Sequence, residues 1–275
     1  MLNLAQNYEF MLNYHIIEAG YFLADGGVMF GPIPKKYWSK KYPVDENNMC
    51  ALSMRCLFIE TESRKILVDT GAGDKQLHKL KYYQLHKMKN IADEIERIGY
   101  QSFEVTDVIL THLHFDHCGA GTQFDDSYDV IPTFPNALYW VSRKQWENYR
   151  NPSPFEAGAF FAENIEPVYE SGQLHLMEND MELFDACRVK LFDGHSPGQL
   201  VVFFETDYKK FVYPGDVIPT SLNFSLNWLS AFDNCASTAY SEKKRLLNLV
   251  SNENRTFIFY HDAYTPMAKQ AKIGK

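Results

Sequence analysis

Four side chains that can bind a metal ion lie within six consecutive positions, at His112, His114, Asp116 and His117. An apolar run at 108–110 directly precedes them, which indicates a short buried strand that ends in a polar cluster. Imidazole and carboxylate groups are common ligands of zinc, and they also suit iron or manganese. Side-chain packing alone does not explain this many polar residues at one strand end. The cluster therefore predicts a metal site.

Three further candidate ligands each follow another apolar strand. His195, Asp216 and His261 come after the strands that the pattern predicts at 187–192, 210–213 and 256–260. Strand ends that converge on one edge of a sheet can bring together residues that are distant in sequence. Five histidines and two aspartates exceed the needs of one tetrahedral ion, but they match two adjacent ions that share a carboxylate.

The elements that must position these residues are mostly strands. Further strands are predicted at 12–24, 52–60, 65–69 and 137–141, and helices at 79–99 and 237–250. Residues 25–50 show no periodicity, and a loop of that length is usually functional. We expect a lid or pocket wall there, with an apolar segment packed on the surface as the alternative. The aromatic-rich residues 125–184 predict a pocket wall, a homodimer surface or plain core filling.

Composition narrows the class of protein. Lys and Arg number 27 and Asp and Glu 35, a net charge of −8. Nucleic acids and anionic membranes attract basic proteins, so neither is an expected partner. Five cysteines without a CxxC pair indicate reduced thiols. The N-terminus does not resemble a signal peptide, and no apolar run approaches the ~20 residues of a membrane span. A cytoplasmic protein is therefore expected.

The motif His112-x-His114-x-Asp116-His117, followed by Gly194-His195, Gly215-Asp216 and His261, resembles the metallo-β-lactamase superfamily in the order and context of its ligands. The resemblance extends from about residue 12 to residue 262. It implies an α/β fold, a four-layer αβ/βα sandwich with two mixed β-sheets flanked by helices. A single domain would then span 1–275, with a lid at about 25–50 and an inserted segment at about 125–184.

The resemblance also implies a role for each candidate residue. His112, His114 and His195 would hold a first metal, Asp116, His117 and His261 a second, and Asp216 would bridge the two. Asp69, in an Asp-x-Gly turn, would orient a ligand from behind. The expected cofactors are two divalent transition metals, zinc first, with iron or manganese as alternatives. Asp116 and Asp216 are the expected catalytic carboxylates.

Within the superfamily, the chain resembles the N-acyl-homoserine lactonases. This predicts a dinuclear metal-dependent hydrolase that opens a small hydrophobic ester or lactone through a bridging hydroxide. The alternatives are a metal-binding sensor or interaction protein with little turnover, and a phosphodiesterase. Those lactonases often carry Tyr three residues after the bridging Asp, where this chain has Pro219. Tyr21, Tyr264 or another phenol would have to take that role.

Overall fold

A computed structural model describes residues 12–184, 187–206 and 208–269. Residues 1–11, on which the expectation about a signal peptide depends, lie outside this description. The strands are β1 Asn13–Asp25, β2 Met49–Glu60, β3 Lys65–Val68, β4 Asp107–Ile109, β5 Thr122–Phe124, β6 Val130–Pro132, β7 Leu138–Ser142, β8 Leu174–Met177, β9 Met181–Phe184, β10 Cys187–Phe192, β11 Gln199–Glu205, β12 Lys210–Tyr213, β13 Thr256–Ile258 and β14 Met267–Lys269. The α-helices are α1 Gly26–Phe30, α2 Lys35–Trp38, α3 Ile91–Arg97, α4 Phe115–Cys118, α5 Arg143–Arg150, α6 Glu166–Glu170 and α7 Ala236–Val250.

Two six-stranded sheets form the frame of the molecule. The first has the order β1-β2-β3-β4-β7-β8, and the second has the order β14-β13-β12-β11-β10-β9. The first is antiparallel from β1 to β3 and parallel from β3 to β8, whereas only β12 and β13 are parallel in the second. Both sheets are mixed, and the predicted four-layer sandwich is confirmed.

Strand β11 shows how the layers are built. Its side chains alternate between the two faces of the sheet. Val201 and Phe203 pack in a cluster with Leu246 of α7, on the outer face. Val202 and Phe204 point into the main core between the sheets. The strand is therefore apolar on both faces, because one face meets a helix and the other meets the first sheet.

Two buried polar contacts attach β2 to the end of the second sheet. Ser53 donates its hydroxyl hydrogen to the carbonyl oxygen of Tyr260 at 2.8 Å, and Arg55 donates to the carbonyl oxygen of Phe259. Both side chains are buried. These bonds hold the chain directly before His261 against the first sheet, so the two halves of the candidate site cannot shift independently.

The prediction of a single helix at 79–99 is wrong. Only Ile91–Arg97 forms an α-helix there, and Asn90 caps it by accepting from the backbone NH of Ala92 at 2.8 Å. Before it, His86 exchanges two backbone hydrogen bonds with Tyr21 of β1, at 2.9 and 3.0 Å. Pairing with the sheet edge satisfies the backbone of this stretch in an extended form, which outweighs its helical periodicity.

The two aromatic-rich segments contribute to both core and pocket. In residues 25–50, Phe30 and Trp38 are buried in the core, while Met29 faces the cleft described below. Residues 125–184 supply β7 and β8 to the first sheet and β9 to the second, so this segment is part of the frame as well as a pocket wall. Within the described ranges, no helix combines the length and apolar character needed to cross a membrane.

Candidate metal centre

The chain leaves the centre of the first sheet at β4 and turns at once into the four-residue helix α4. His112 and His114 lie in the connection, and Asp116 and His117 lie on the helical turn. The turn is possible because residue 119 is glycine. A Cβ on Gly119 would lie 2.1 Å from the carbonyl oxygen of Ala72. The loop after β3 thus approaches the motif at backbone distance and packs against it.

Three imidazole nitrogens form the first group of candidate ligand atoms. Nδ1 of His114 lies 3.1 Å from Nε2 of His112 and 3.4 Å from Nε2 of His195. All three histidines are buried. His195 comes from the loop after β10, so the second sheet completes a group that the first sheet begins.

A second group lies beside the first. Nε2 of His261 is 3.3 Å from Nε2 of His117 and 3.4 Å from Oδ2 of Asp116. His261 follows β13, and its backbone NH donates to the carbonyl oxygen of Pro219 at 3.0 Å. The structure therefore brings the four motif residues into contact with both distant histidines.

Asp216 stands between the two groups. Its Oδ2 lies 3.4 Å from Nε2 of His195, and its Oδ1 lies 3.4 Å from Nε2 of His117 and 3.3 Å from Nε2 of His261. Each carboxylate oxygen thus faces a different group. This is the arrangement expected of one carboxylate that serves two adjacent cations.

The donor set fits divalent cations on two observations. Tetrahedral zinc with Zn–N bonds of 2.0–2.1 Å separates its nitrogen ligands by about 3.3 Å, and the three nitrogen pairs described above lie 3.1–3.4 Å apart. In addition, Oδ1 of Asp216 is buried without a hydrogen-bond partner among the described residues. An orphaned buried carboxylate oxygen is costly unless a cation compensates it.

Burial and charge set the protonation of the centre. Burial lowers the pKa of His112, and the neighbouring His117 and His114 lower it further, so this imidazole is neutral and can offer a lone pair. Burial alone would raise the pKa of Asp216, but His261, His117 and His195 outweigh it and hold that pKa well below its usual range. The carboxyl group of Asp216 is therefore ionised.

In His117 and His261, the ring nitrogen that faces away from the candidate ligand atoms makes a contact with another part of the chain. The carboxylate of Asp69 lies 2.9 Å from Nδ1 of His117, which is the contact that the sequence predicts for it. Asp69 is fully buried, and it also accepts from the backbone NH of Thr111 at 2.7 Å. Nδ1 of His261 lies 2.9 Å from the carbonyl oxygen of Ser53. Such outer contacts fix the ring orientation and tautomer of a metal ligand.

Two further carboxylates contact candidate ligands and are not predicted from the sequence. Asp233 lies 3.1 Å from Nδ1 of His195, and Glu156 lies 2.8 Å from Nε2 of His114. Both come from stretches without a recognisable motif, and no signal in the sequence marks them.

An apolar cleft of about 290 Å³ opens above the centre. Its hydrophobic lining consists mainly of Phe22, Met29, Leu52, Phe115, Phe155 and Phe232, with Pro219 and Tyr83 at further positions. Asp116 and Asp216 lie at its floor. The cleft can therefore receive an apolar group while it presents the polar part of a ligand to the centre.

The other candidates from the sequence lie away from the cleft. Tyr21 stacks on His86 at the edge of β1, with ring centroids 5.9 Å apart, and Tyr264 is 53% exposed and packs on Tyr42. Neither is among the residues that line the cleft. All five cysteines are free, as the sequence predicts, and Cys118 beside the motif is buried.

Comparison with known proteins agrees with this geometry. The profile of the Metallo-beta-lactamase superfamily matches residues 55–261. An N-acyl homoserine lactonase of Bacillus cereus is 27% identical over 229 residues, which are 78% of this chain and 83% of the relative.

Two solved structures extend the comparison to the fold. The crystal structure of a probable metal-dependent hydrolase from Staphylococcus aureus superposes with a TM-score of 0.88 at 26% identity, and the match covers 96% of this chain and 94% of that one. An N-acyl homoserine lactone hydrolase, with the product N-hexanoyl-L-homoserine bound at its catalytic metal center, superposes with a TM-score of 0.72 at 25% identity. That match covers 92% of this chain and 93% of the hydrolase.

Proposed function

Because this chain belongs to the metallo-beta-lactamase superfamily and is a metal-dependent hydrolase, we propose that it opens a small hydrophobic ester or lactone at a centre of two divalent cations. Zinc is the first candidate for both ions, since the ligands are imidazoles and carboxylates. The lactone part of the proposal is supported by relatives that are N-acyl homoserine lactonases.

One observation carries the proposal. The two oxygens of Asp216 face different groups of nitrogens, with Oδ2 toward His195 and Oδ1 toward His117 and His261. A centre for one ion would need only one of these groups, and the second would then be a costly cluster of buried polar side chains. Two adjacent cations that share Asp216 give every one of these atoms a partner.

The residues that would hold the ions follow from the two groups. The first ion would bind His112, His114 and His195, the second would bind Asp116, His117 and His261, and Asp216 would bind both. With both bound, the pair lowers the pKa of water toward neutrality and offsets the negative charge that develops on the substrate oxygens.

The carboxylate of Asp116 can transfer the proton that hydrolysis requires. Asp116 lies at the floor of the cleft and is only 8% exposed. It can accept the proton of the attacking water and return it to the alkoxide that leaves when the acyl C–O bond breaks. The products are a carboxylic acid and an alcohol, which remain one molecule when the substrate is a lactone.

The cleft wall favours a neutral, apolar substrate. Phe22, Met29 and Phe115 line the cleft together with the candidate ligands Asp116 and Asp216. Aromatic walls bind an acyl or alkyl group and exclude bulk water from the reacting carbonyl. Neither Lys nor Arg is among the described residues that line the cleft, so its wall offers no partner for a second charged group of a phosphodiester, and an ester or lactone with an apolar substituent is the better match.

The test is a hydrolysis screen of zinc-loaded protein against acyl-homoserine lactones, simple lactones, aryl esters, thioesters and phosphodiesters. We expect about two ions per chain, as a shared carboxylate requires, and the highest kcat/KM on a lactone or ester with an apolar substituent. Full metal loading without turnover of any of these compounds would instead support a sensor. Preference for a phosphodiester would contradict the substrate class.

A further inference from the structure

Glu156 is a buried carboxylate in the segment that forms one wall of the cleft. It is 4% exposed, and it directly precedes the 3-10 turn Ala157–Ala159. The neighbouring Phe155, Gly158 and Ala159 line the cleft. A glutamate this deeply buried needs several hydrogen bonds to be tolerated.

The carboxylate has partners on both of its oxygens. Oε1 lies 2.8 Å from Nε2 of His114 and also accepts from the hydroxyl of Ser196. Oε2 accepts from the side-chain amide of Asn148 at 2.9 Å. Both oxygens therefore face donors, and Glu156 acts as an acceptor in this cluster.

We propose that Glu156 is a positioning residue, which selects the metal-binding tautomer of His114 and couples the cleft wall to the first cation position. This inference rests on the two-metal centre of the proposed function. It adds a residue that no metal-ligand motif contains.

The tautomer argument follows from the two ring nitrogens of His114. The oxygens of Glu156 already accept from Ser196 and Asn148, so the contact with Nε2 of His114 is made with the hydrogen on Nε2. In that tautomer Nδ1 is left with a free lone pair. Nδ1 is the atom that faces His112 and His195 across 3.1 and 3.4 Å. The contact therefore prepares the ring to bind a cation.

The coupling between the cleft wall and the first cation position follows from the hydrogen-bond partners of Glu156. Ser196 is the residue after His195, and Asn148 belongs to α5, which packs on the first sheet. Glu156 thus joins His114 to the loop that carries His195. Phe155 and Gly158, which lie close to Glu156 in the chain, line the cleft with it. A displacement of this wall would therefore also displace the carboxylate that contacts His114.

The test compares Glu156→Gln with the matched control Glu163→Gln. Glutamine keeps the shape of the side chain but offers only one acceptor oxygen, so either His114 or Asn148 must face an amide NH2. Glu163 lies seven positions further on, and its side chain is 44% exposed and paired with Lys79. Stepwise zinc affinities are measured by competition with a chromophoric chelator, and cobalt is added to record the visible d–d spectrum.

We expect one of the two zinc affinities of Glu156→Gln to fall by about 10–100-fold, the usual cost of losing an outer partner. The other affinity should stay unchanged, and the cobalt spectrum of one equivalent should shift. Glu163→Gln should match the wild type. Equal losses at both positions, or wild-type affinities in Glu156→Gln, would overturn the inference. Because these measurements need no substrate, failure of the hydrolysis screen would leave them interpretable.

A second variant covers the case in which Glu156→Gln does not fold. Asn148→Ala removes the donor to Oε2 and leaves His114 and its contact in place. It should weaken the same zinc affinity in the same direction, by a smaller factor. Wild-type affinities for both ions in Asn148→Ala would then overturn the inference.

Discussion

Oδ1 of Asp216 lies 3.3 Å from Nε2 of His261, and it is buried without a hydrogen bond in the described part of the chain. The other oxygen of the same carboxylate faces His195 at 3.4 Å. Asp216 therefore faces both groups of candidate ligands. Its removal should affect the centre as a whole, whereas loss of a histidine should affect one group first.

Asp216→Ala should lose nearly all hydrolytic activity. The metal pair contributes several kcal/mol of charge stabilisation, so we expect kcat/KM to fall by about 10³-fold, or about 4 kcal/mol. His15→Ala is the control, because His15 is a half-buried residue of β1 near Phe58 and away from the cleft. Its kcat/KM should stay within about twofold of the wild type. Similar losses in the two variants would contradict the assignment.

Metal removal should destabilise the folded protein. Without cations, carboxylate oxygens of Asp116 and Asp216 face Nε2 of His261 at 3.4 and 3.3 Å with no ion between them, and Oδ1 of Asp216 has no hydrogen-bond partner among the described residues. Zinc at 1,000 times its Kd stabilises by about 4 kcal/mol, which corresponds to a change in Tm of about 8–16 °C for a chain near this size. Thermal unfolding with zinc and with EDTA measures the difference. Asp216→Ala should show a much smaller EDTA effect, and an unchanged Tm in the wild type would refute metal-coupled stability.

The inner residues of the centre are predictable because each one follows an apolar strand. Val212 and Tyr213 of β12 lead to Asp216, and Phe257 and Ile258 of β13 lead to His261. Strand periodicity is a local property, so the strands and the residues at their ends can be read without knowing the fold. The resemblance to a known superfamily adds the sandwich of two mixed sheets, but the strand order within each sheet is known only from the structure.

The outer carboxylates could not be predicted, because their contacts are non-local. Glu156 meets His114 across 42 positions, and Asp233 meets His195 across 38. Neither acid lies in a motif or at the end of a strand, and an isolated acid in a polar stretch is usually exposed. Asp69 differs, because it stands at the end of β3 in a turn that the superfamily shares. The same limit explains the missing helix at 79–90, where pairing with β1 decides the conformation.

Tyr83 should bind the polar part of the substrate, a role that Pro219 cannot perform. It lines the cleft, and its ring packs against Phe22 and Phe115 at 5.9 and 5.3 Å. Burial and the nearby Asp116 raise the pKa of Tyr83, so the phenol stays protonated and can donate. Tyr83→Phe should lose one hydrogen bond, about 0.5–1.5 kcal/mol, and kcat/KM on the best substrate should fall by about 2–10-fold.

The adjacent tyrosine supplies the control for this prediction. Tyr82 is 63% exposed and is not among the residues that line the cleft. Tyr82→Phe should retain the kcat/KM of the wild type. If the two variants behave alike, the hydroxyl of Tyr83 does not contact the substrate.

Cys235 should be the one cysteine that alkylates rapidly in the folded protein. It precedes α7 and is exposed, whereas the other four cysteines are buried. Hydrogen bonds from Ser237 and Thr238 lower the pKa of its thiol to about 7, while burial raises the pKa of Cys187 to about 12. The thiolate is the nucleophile. The rate of iodoacetamide labelling should therefore rise with pH, reach half of its maximum at about pH 7 and level off above about pH 8. Peptide mass spectrometry after timed labelling from pH 5.5 to 9 measures this profile, and Cys235→Ser should abolish it. A rate that still climbs steeply above pH 8.5 would show an ordinary thiol instead.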